Sequence, residues 1–118
     1  MHLETQAHGP VMALTMTTPR LTGAVAREVR AEALAAIGDG HKVYLVDLSH
    51  VTQIDSSGLG ALVGAMKHVG RYGRLELCGL LPRVRKVLRL TRLDGVFTIH
   101  RDLNAGLDAH FAPRARAV

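Results

Sequence analysis

Val43-Tyr44-Leu45-Val46-Asp47-Leu48-Ser49-His50-Val51-Thr52-Gln53-Ile54-Asp55-Ser56-Ser57-Gly58-Leu59-Gly60 reads as a strand handing over to a helix. Residues 43–48 are aliphatic and β-branched without clean alternation. That pattern suits a central parallel strand covered on both faces. From residue 56 the spacing becomes helical. Leu59, Leu62, Val63, Met66 and Val69 define a core face, and Gly70 and Gly73 close the segment. One carboxylate, Asp55, and two hydroxyls, Ser56 and Ser57, thus stand at a helix N-terminus. Such a terminus offers unpaired N–H groups and a partial positive charge. It suits holding a phosphate or receiving one. One capping side chain suffices there. Gly58 permits close backbone approach, and Ser56 is left over.

The flanks follow the same alternation. Residues 2–8 and 11–17 read as two strands joined at the Gly9-Pro10 turn, with Pro19 ending the second. Thr22 is placed to cap a helix over 23–37, with Val25, Val29, Ala33 and Ile37 as its buried stripe and Leu34 off it. Gly38-Asp39-Gly40 stops that helix. Residues 74–80 form the next strand. Pro82 opens a helix to about Leu93, with Val84, Val87 and Leu88 inward, and Asp94-Gly95 ends it. Residues 96–100 are a last strand and 102–111 a short helix. The order ββαβαβαβα implies right-handed parallel crossovers. The fold class is α/β, a mixed, mostly parallel sheet with helices packed on it. Residues 1–111 are expected to form one domain, and 112–118 a disordered Ala/Arg/Pro tail.

Composition narrows the function. The chain has 118 residues, within the roughly 100–200 of one domain, and can bury a core without staples. Only Tyr44, Tyr72, Phe97 and Phe111 are aromatic, so a base-stacking platform is not expected. Fifteen Lys and Arg against ten acids give a net charge of +5, which permits an acidic partner without requiring one. Cys78 can form no internal disulfide and reads as a small buried hydrophobe. No apolar run approaches a membrane span, and the N-terminus lacks a signal-peptide layout. The expected location is the cytoplasm.

Catalytic patterns do not emerge. The seven histidines lack the paired spacing of a zinc site, so no metal is expected. Ser56 is not in a nucleophile elbow, and neither a Walker loop nor a Gly-x-Gly-x-x-Gly run is present. The chain is expected to be a non-enzyme without cofactor.

The stretch from Leu45 to Gly60, with Asp55-Ser56-Ser57-Gly58-Leu59 at its heart, resembles the signature of STAS domains. It is similar in particular to bacterial anti-sigma factor antagonists of the SpoIIAA/RsbV type. The similarity runs through the Gly73–Gly79 strand, the Pro82 helix and Leu93-Asp94-Gly95-Val96-Phe97, covering roughly residues 10–111. It implies a SpoIIAA-like fold and a switch. The unphosphorylated domain binds a protein that is both anti-sigma factor and ATP-using serine kinase. The kinase phosphorylates the first serine of the motif, here Ser56, the complex parts, and a phosphatase resets it. Asp55, Ser57, Gly58, Leu59, Gly60, Ala61, Gly64 and Thr22 are the partner-binding positions carried with it. One departure stands out. The family's Gly-x-Leu-Asp is here Pro19-Arg20-Leu21-Thr22, a hydroxyl where a carboxylate is usual.

Two further features are open to more than one reading. Gly60, Ala61, Gly64 and Ala65 are read as a small-residue outer face, packed on a neighbouring helix or left as a docking surface. Arg85, Arg89 and Arg92, with Arg83 and Lys86, form either a solvated helix face or a patch for an acidic protein. No nucleic-acid reader motif accompanies them. Two alternatives to the antagonist role stay open. One is a STAS docking subunit of a transport or stressosome-like complex. The other is a small-ligand or nucleotide sensor using the helix N-terminus at Ser56–Gly58 as an anion site.

Overall fold

Strands β1 (Leu3–His8) and β2 (Val11–Met16) form an antiparallel hairpin through Gly9-Pro10. β2 then pairs in parallel with β4 (Val43–Asp47), β4 with β6 (Arg74–Cys78), and β6 with the two-residue β7 (Ile99–His100). The sheet order is β1-β2-β4-β6-β7. A separate parallel ladder joins β3 (Arg20–Leu21) to β5 (Gln53–Ile54). The computed structural model describes residues 1–38 and 40–111. Asp39 of the expected helix stop and the expected tail at 112–118 lie outside the described residues.

Side-chain alternation assigns the two faces of the sheet. Leu14, Met16, Tyr44, Val46, Leu75 and Leu77 form one core with α1 (Gly23–Ala36) and α2 (Ser56–Val69). Val84 and Leu88 of α3 (Pro82–Leu90) join it, with Leu80 and Phe97. The other face presents Ala13, Leu45, Glu76 and Cys78, and α4 (Leu103–Phe111) packs there. Gly106 brings α4 against Leu45; a Cβ at Gly106 would lie 3.1 Å from its Cδ1. β4 is therefore covered on both faces, as its unbroken apolar run predicts.

Three expectations need correction. The element order gains β3 and β5, two residues each and too short to show a period. The strand expected over 96–100 shrinks to Ile99–His100. A 3-10 turn at Leu93–Gly95, entered through Arg92 at φ +63°, carries Val96 to the surface and turns Phe97 inward. The core face of α2 is also rotated from the expected stripe. Gly58, Ala61, Leu62 and Ala65 are its buried residues, while Leu59, Val63, Met66 and Val69 are half-buried. α1 lies alongside α2, and small side chains let the two helices approach.

Gly58 shows how close the packing is. A Cβ built there would overlap the Leu21 carbonyl oxygen and stand 2.7 Å from Ile54 Cγ1. The clash is with backbone, so no rotamer relieves it. Gly58→Ala is expected to cost about 1–3 kcal/mol or more, the range for overpacking a tight site. Urea unfolding of the variant should show a lower midpoint at unchanged slope. An unchanged midpoint would mean that α2 can shift freely against β3.

Candidate functional site

The β3–β5 ladder brings two distant segments together. Pairing of Leu21 with Ile54 sets Thr22 and Asp55, the residues that follow, side by side. Each is the residue before a helix, so the N-termini of α1 and α2 meet at this point. The Pro19 carbonyl reinforces the junction by accepting from Thr52 N–H at 2.8 Å and from the Thr52 hydroxyl at 3.1 Å.

Asp55 serves both helices. Gly58 N–H donates to its Oδ1 at 3.0 Å, which is the ordinary N-cap bond of α2. Gly23 N–H donates to its Oδ2 at 3.1 Å, across a separation of 32 residues. Thr22 holds the N-cap position of α1, with extended backbone, but its hydroxyl makes no capping bond. Instead the side-chain acceptor at this helix end is the Asp55 carboxylate, which takes the first N–H of α1, that of Gly23. Gly23 sits at φ +51°, a conformation glycine adopts without strain. Neither helix has an acid in its first turn, so Asp55 is the one negative side chain placed at both dipole ends among the described residues. The hydrogen bond from Gly58, partly opposed by desolvation and supported by Gly23, holds its carboxyl below the usual 3.8.

Around this clasp the expected site residues divide. Ser56 is the first residue of α2 and is exposed, and Gly60 one turn on is exposed with no atom within 4 Å of where a Cβ would stand. Ser57, Leu59, Gly64 and Thr22 are half-buried. Gly58 and Ala61 are turned inward, against β3 and α1, and cannot be surface contacts. Gly64 faces Arg30 of α1, whose Nε would lie 2.9 Å from an added Cβ. For Ala61, Gly64 and Ala65 the helix-packing reading is therefore the correct one. What remains accessible is a stripe of Ser56, Gly60, Val63 and Lys67, one helical face starting at the clasp.

Two other groups define what the site is not. Cys78 is fully buried, and burial, with the charges of Asp47 and Asp102, pushes its thiol up to about 12. It is no nucleophile at neutral pH. Glu76, at 2% exposure, is a buried acid that reading the sequence passed over as part of an apolar strand. Burial raises its pKa, but hydrogen bonds from His110 and His100, then the charges of His110 and Arg74, outweigh that and lower it. Its histidine partners lie 24 and 34 residues away, so no spacing signal could have revealed them.

Comparison with known proteins fits this geometry. A model of the STAS domain matches residues 2–106. The chain belongs to the STAS domain family. This STAS domain is 37% identical over 57 residues to a STAS-domain containing protein of Pseudomonas aeruginosa, a match covering 48% of the chain and 56% of that relative. It is 28% identical over 90 residues to the putative anti-sigma factor antagonist BtrV of Bordetella bronchiseptica, covering 75% of the chain and 78% of that protein. The matched segment thus spans little more than half the length of the first of these relatives. In structure it resembles an anti-sigma factor antagonist from Mycobacterium paratuberculosis, with TM-score 0.82, 22% identity and 91% of each chain covered. It also resembles unphosphorylated SpoIIAA, with TM-score 0.74, 22% identity, and 98% and 97% of the two chains covered. A segment of the murine Slc26a9 anion transporter shares the fold too, with TM-score 0.77 and 18% identity, covering 92% of this chain and 19% of that one. No helix among the described residues is long and apolar enough to cross a membrane.

The clasp makes a pH-dependent prediction. Asp55→Asn removes the charge and one of two acceptors, so its Tm at neutral pH should fall below that of the wild type. Because the folded pKa of Asp55 lies below 3.8, its ionised contribution is present above that value and fades as pH falls through the folded pKa. The Tm gap should therefore hold at neutral pH and narrow as pH falls below 3.8. Thermal melts across that range check it, and a gap constant to the lowest pH would contradict the assignment.

Proposed function

We propose that this STAS domain is an anti-sigma factor antagonist whose docking surface is the exposed stripe on α2 and whose switch is Ser56. The observation that carries the reading is the placement of Ser56. Ser56 is an exposed residue, the first of α2, next to a helix N-terminus already tied down by Asp55. In this reading the unphosphorylated domain sequesters an anti-sigma factor that is also a serine kinase. The kinase binds ATP and transfers the terminal phosphoryl group to the Ser56 oxygen; the hydroxyl proton leaves and ADP is released. A phosphatase restores the hydroxyl. The domain itself is a binding module and kinase substrate, with no catalysis of its own.

Physical chemistry supports such a switch. A phosphate adds about −1.5 to −2 charges. At a helix N-terminus that charge is tolerated within the molecule, since it faces the positive end of the dipole. At an interface it must lose water or face acids on the partner. Binding changes while the fold need not. The likeness to antagonists, and to SpoIIAA solved in both unphosphorylated and phosphorylated forms, supports the same role. A second reading rests on Thr22, the hydroxyl at the family's carboxylate position, and on the shared fold of the transporter segment. There the domain docks in a larger transport or stressosome-like assembly without phospho-switching.

The test is binding to STAS-binding kinases of the same cell, with intact mass after incubation with ATP. Wild type should gain one phosphate and Ser56→Ala none while still binding. Ser56→Asp should bind at least about tenfold more weakly, a loss of ~1.4 kcal/mol. Absence of both binding and modification in the wild type would favour the docking-subunit reading. The surface is tested separately by Gly60→Gln. A side chain there meets open space, and replacing a mid-helix glycine typically stabilises by a few tenths to ~1 kcal/mol. The variant should keep or raise its Tm yet bind at least about tenfold more weakly. Undiminished binding would place the interface elsewhere.

A further inference from the structure

On the sheet face away from the α1–α2 core, three metal-ligating side chains from three elements converge. Glu76 comes from the middle of β6, His100 from β7 and His110 from the last turn of α4. Nε2 of His100 lies 2.8 Å from Glu76 Oε1, and Nε2 of His110 lies 2.7 Å from the same oxygen. The three ligand atoms all fall within 4.8 Å of one another. We propose that Glu76, His100 and His110 form a binding site for a zinc-class divalent metal ion.

The donor chemistry fits. Two imidazole nitrogens and one carboxylate oxygen are a set that holds zinc with a fourth position open. The carboxylate is almost wholly buried, its side chain 3% exposed, and it is oriented from behind by Arg74, whose Nε donates to Oε2 at 2.9 Å. An outer hydrogen bond of this kind fixes a ligand's direction. Oε1 is left for the ion. The imidazoles are 16% and 21% exposed, which gives the ion an entry path from solvent. Metal binding requires each histidine to carry its proton on Nδ1, leaving the Nε2 lone pairs on the ion. The present nitrogen–oxygen separations are shorter than the ~3.3 Å edge of a tetrahedron with 2.0–2.1 Å bonds, so each ring must draw back from Oε1 by roughly half an ångström. Such a movement lies within side-chain reach, since neither ring is fully buried. The guanidinium of Arg74 puts a positive charge near the ion and weakens binding, without blocking Oε1. A bound ion would cross-link α4 to β6 and β7. In that position it is a structural tie on the far face of the sheet, independent of the proposed function at Ser56.

Untagged protein, stripped with chelator, is titrated with zinc chloride in competition with a chromogenic chelator, and with cobalt(II) for its visible bands. The expected result is one ion per chain, a Tm raised by several degrees at saturating zinc, and intense visible cobalt bands of a low-coordinate site. His110→Gln and His100→Gln should each weaken binding by at least about tenfold and remove the Tm rise. His68→Ala, an exposed position on α2, should bind as the wild type does. Absence of saturable one-to-one binding in the wild type overturns the proposal, whether or not the variants fold. So does zinc binding that survives in the His100→Gln, His110→Gln double variant, since the ion would then sit on other surface histidines.

Discussion

The carboxylate of Asp55 is the point at which two helices and two chain segments are tied. One oxygen closes the N-terminus of α2 and the other closes that of α1. A helix N-terminus leaves four N–H groups without partners, and two such ends pointing at one place would repel through their dipoles. One negative side chain between them answers both problems. The rest of the junction is built to hold that carboxylate in place. β3 and β5 align the two chain segments, Gly23 turns its N–H toward α2, and Gly58 allows the helix end to close on Leu21. The arrangement leaves Ser56 on the outside of a rigid corner.

The two faces of the sheet do different work. The α1–α2 side holds the large aliphatic core, with Leu14, Leu77 and Leu88 fully buried. The α4 side is thinner, and in its middle stands Glu76 with two histidines and an arginine around it. A buried carboxylate is costly unless it is hydrogen-bonded and paired. Here each oxygen has a partner of positive or convertible charge. That network joins the last helix to the sheet, where an all-apolar contact by a nine-residue helix would bury little area.

Much of this was legible in the sequence because the signals were long. The unbroken run at 43–48, the glycines closing α2 and Pro82 opening α3 each rest on a physical rule with little competition. The legible part of the site was its location, since Asp55-Ser56-Ser57-Gly58 has to fall where a strand gives way to a helix. What was not legible came from weak or distant signals. Ala61 and Ala65 carry too little hydropathy to reveal that they face inward, so the stripe of larger residues set the expected face of α2 too far round. Two-residue strands have no period. The second bond of Asp55 spans 32 residues, so no local pattern around Thr22 shows that its carboxylate reaches Gly23. Glu76 was hidden among leucines for the same reason, its partners lying on β7 and α4.

The exposed stripe on α2 has an evolutionary consequence. Ser56, Gly60 and Lys67 make no side-chain hydrogen bond or ion pair among the described residues, and the corner beneath them is held by Asp55, Gly58 and backbone. Substitutions at these three positions therefore cost the fold little. Where the stripe is the docking surface proposed above, a genome that duplicates such a domain can let the copies diverge at these positions until each avoids its sibling's partner. Insulation between parallel pathways can thus arise through surface drift alone, with the buried corner inherited unchanged.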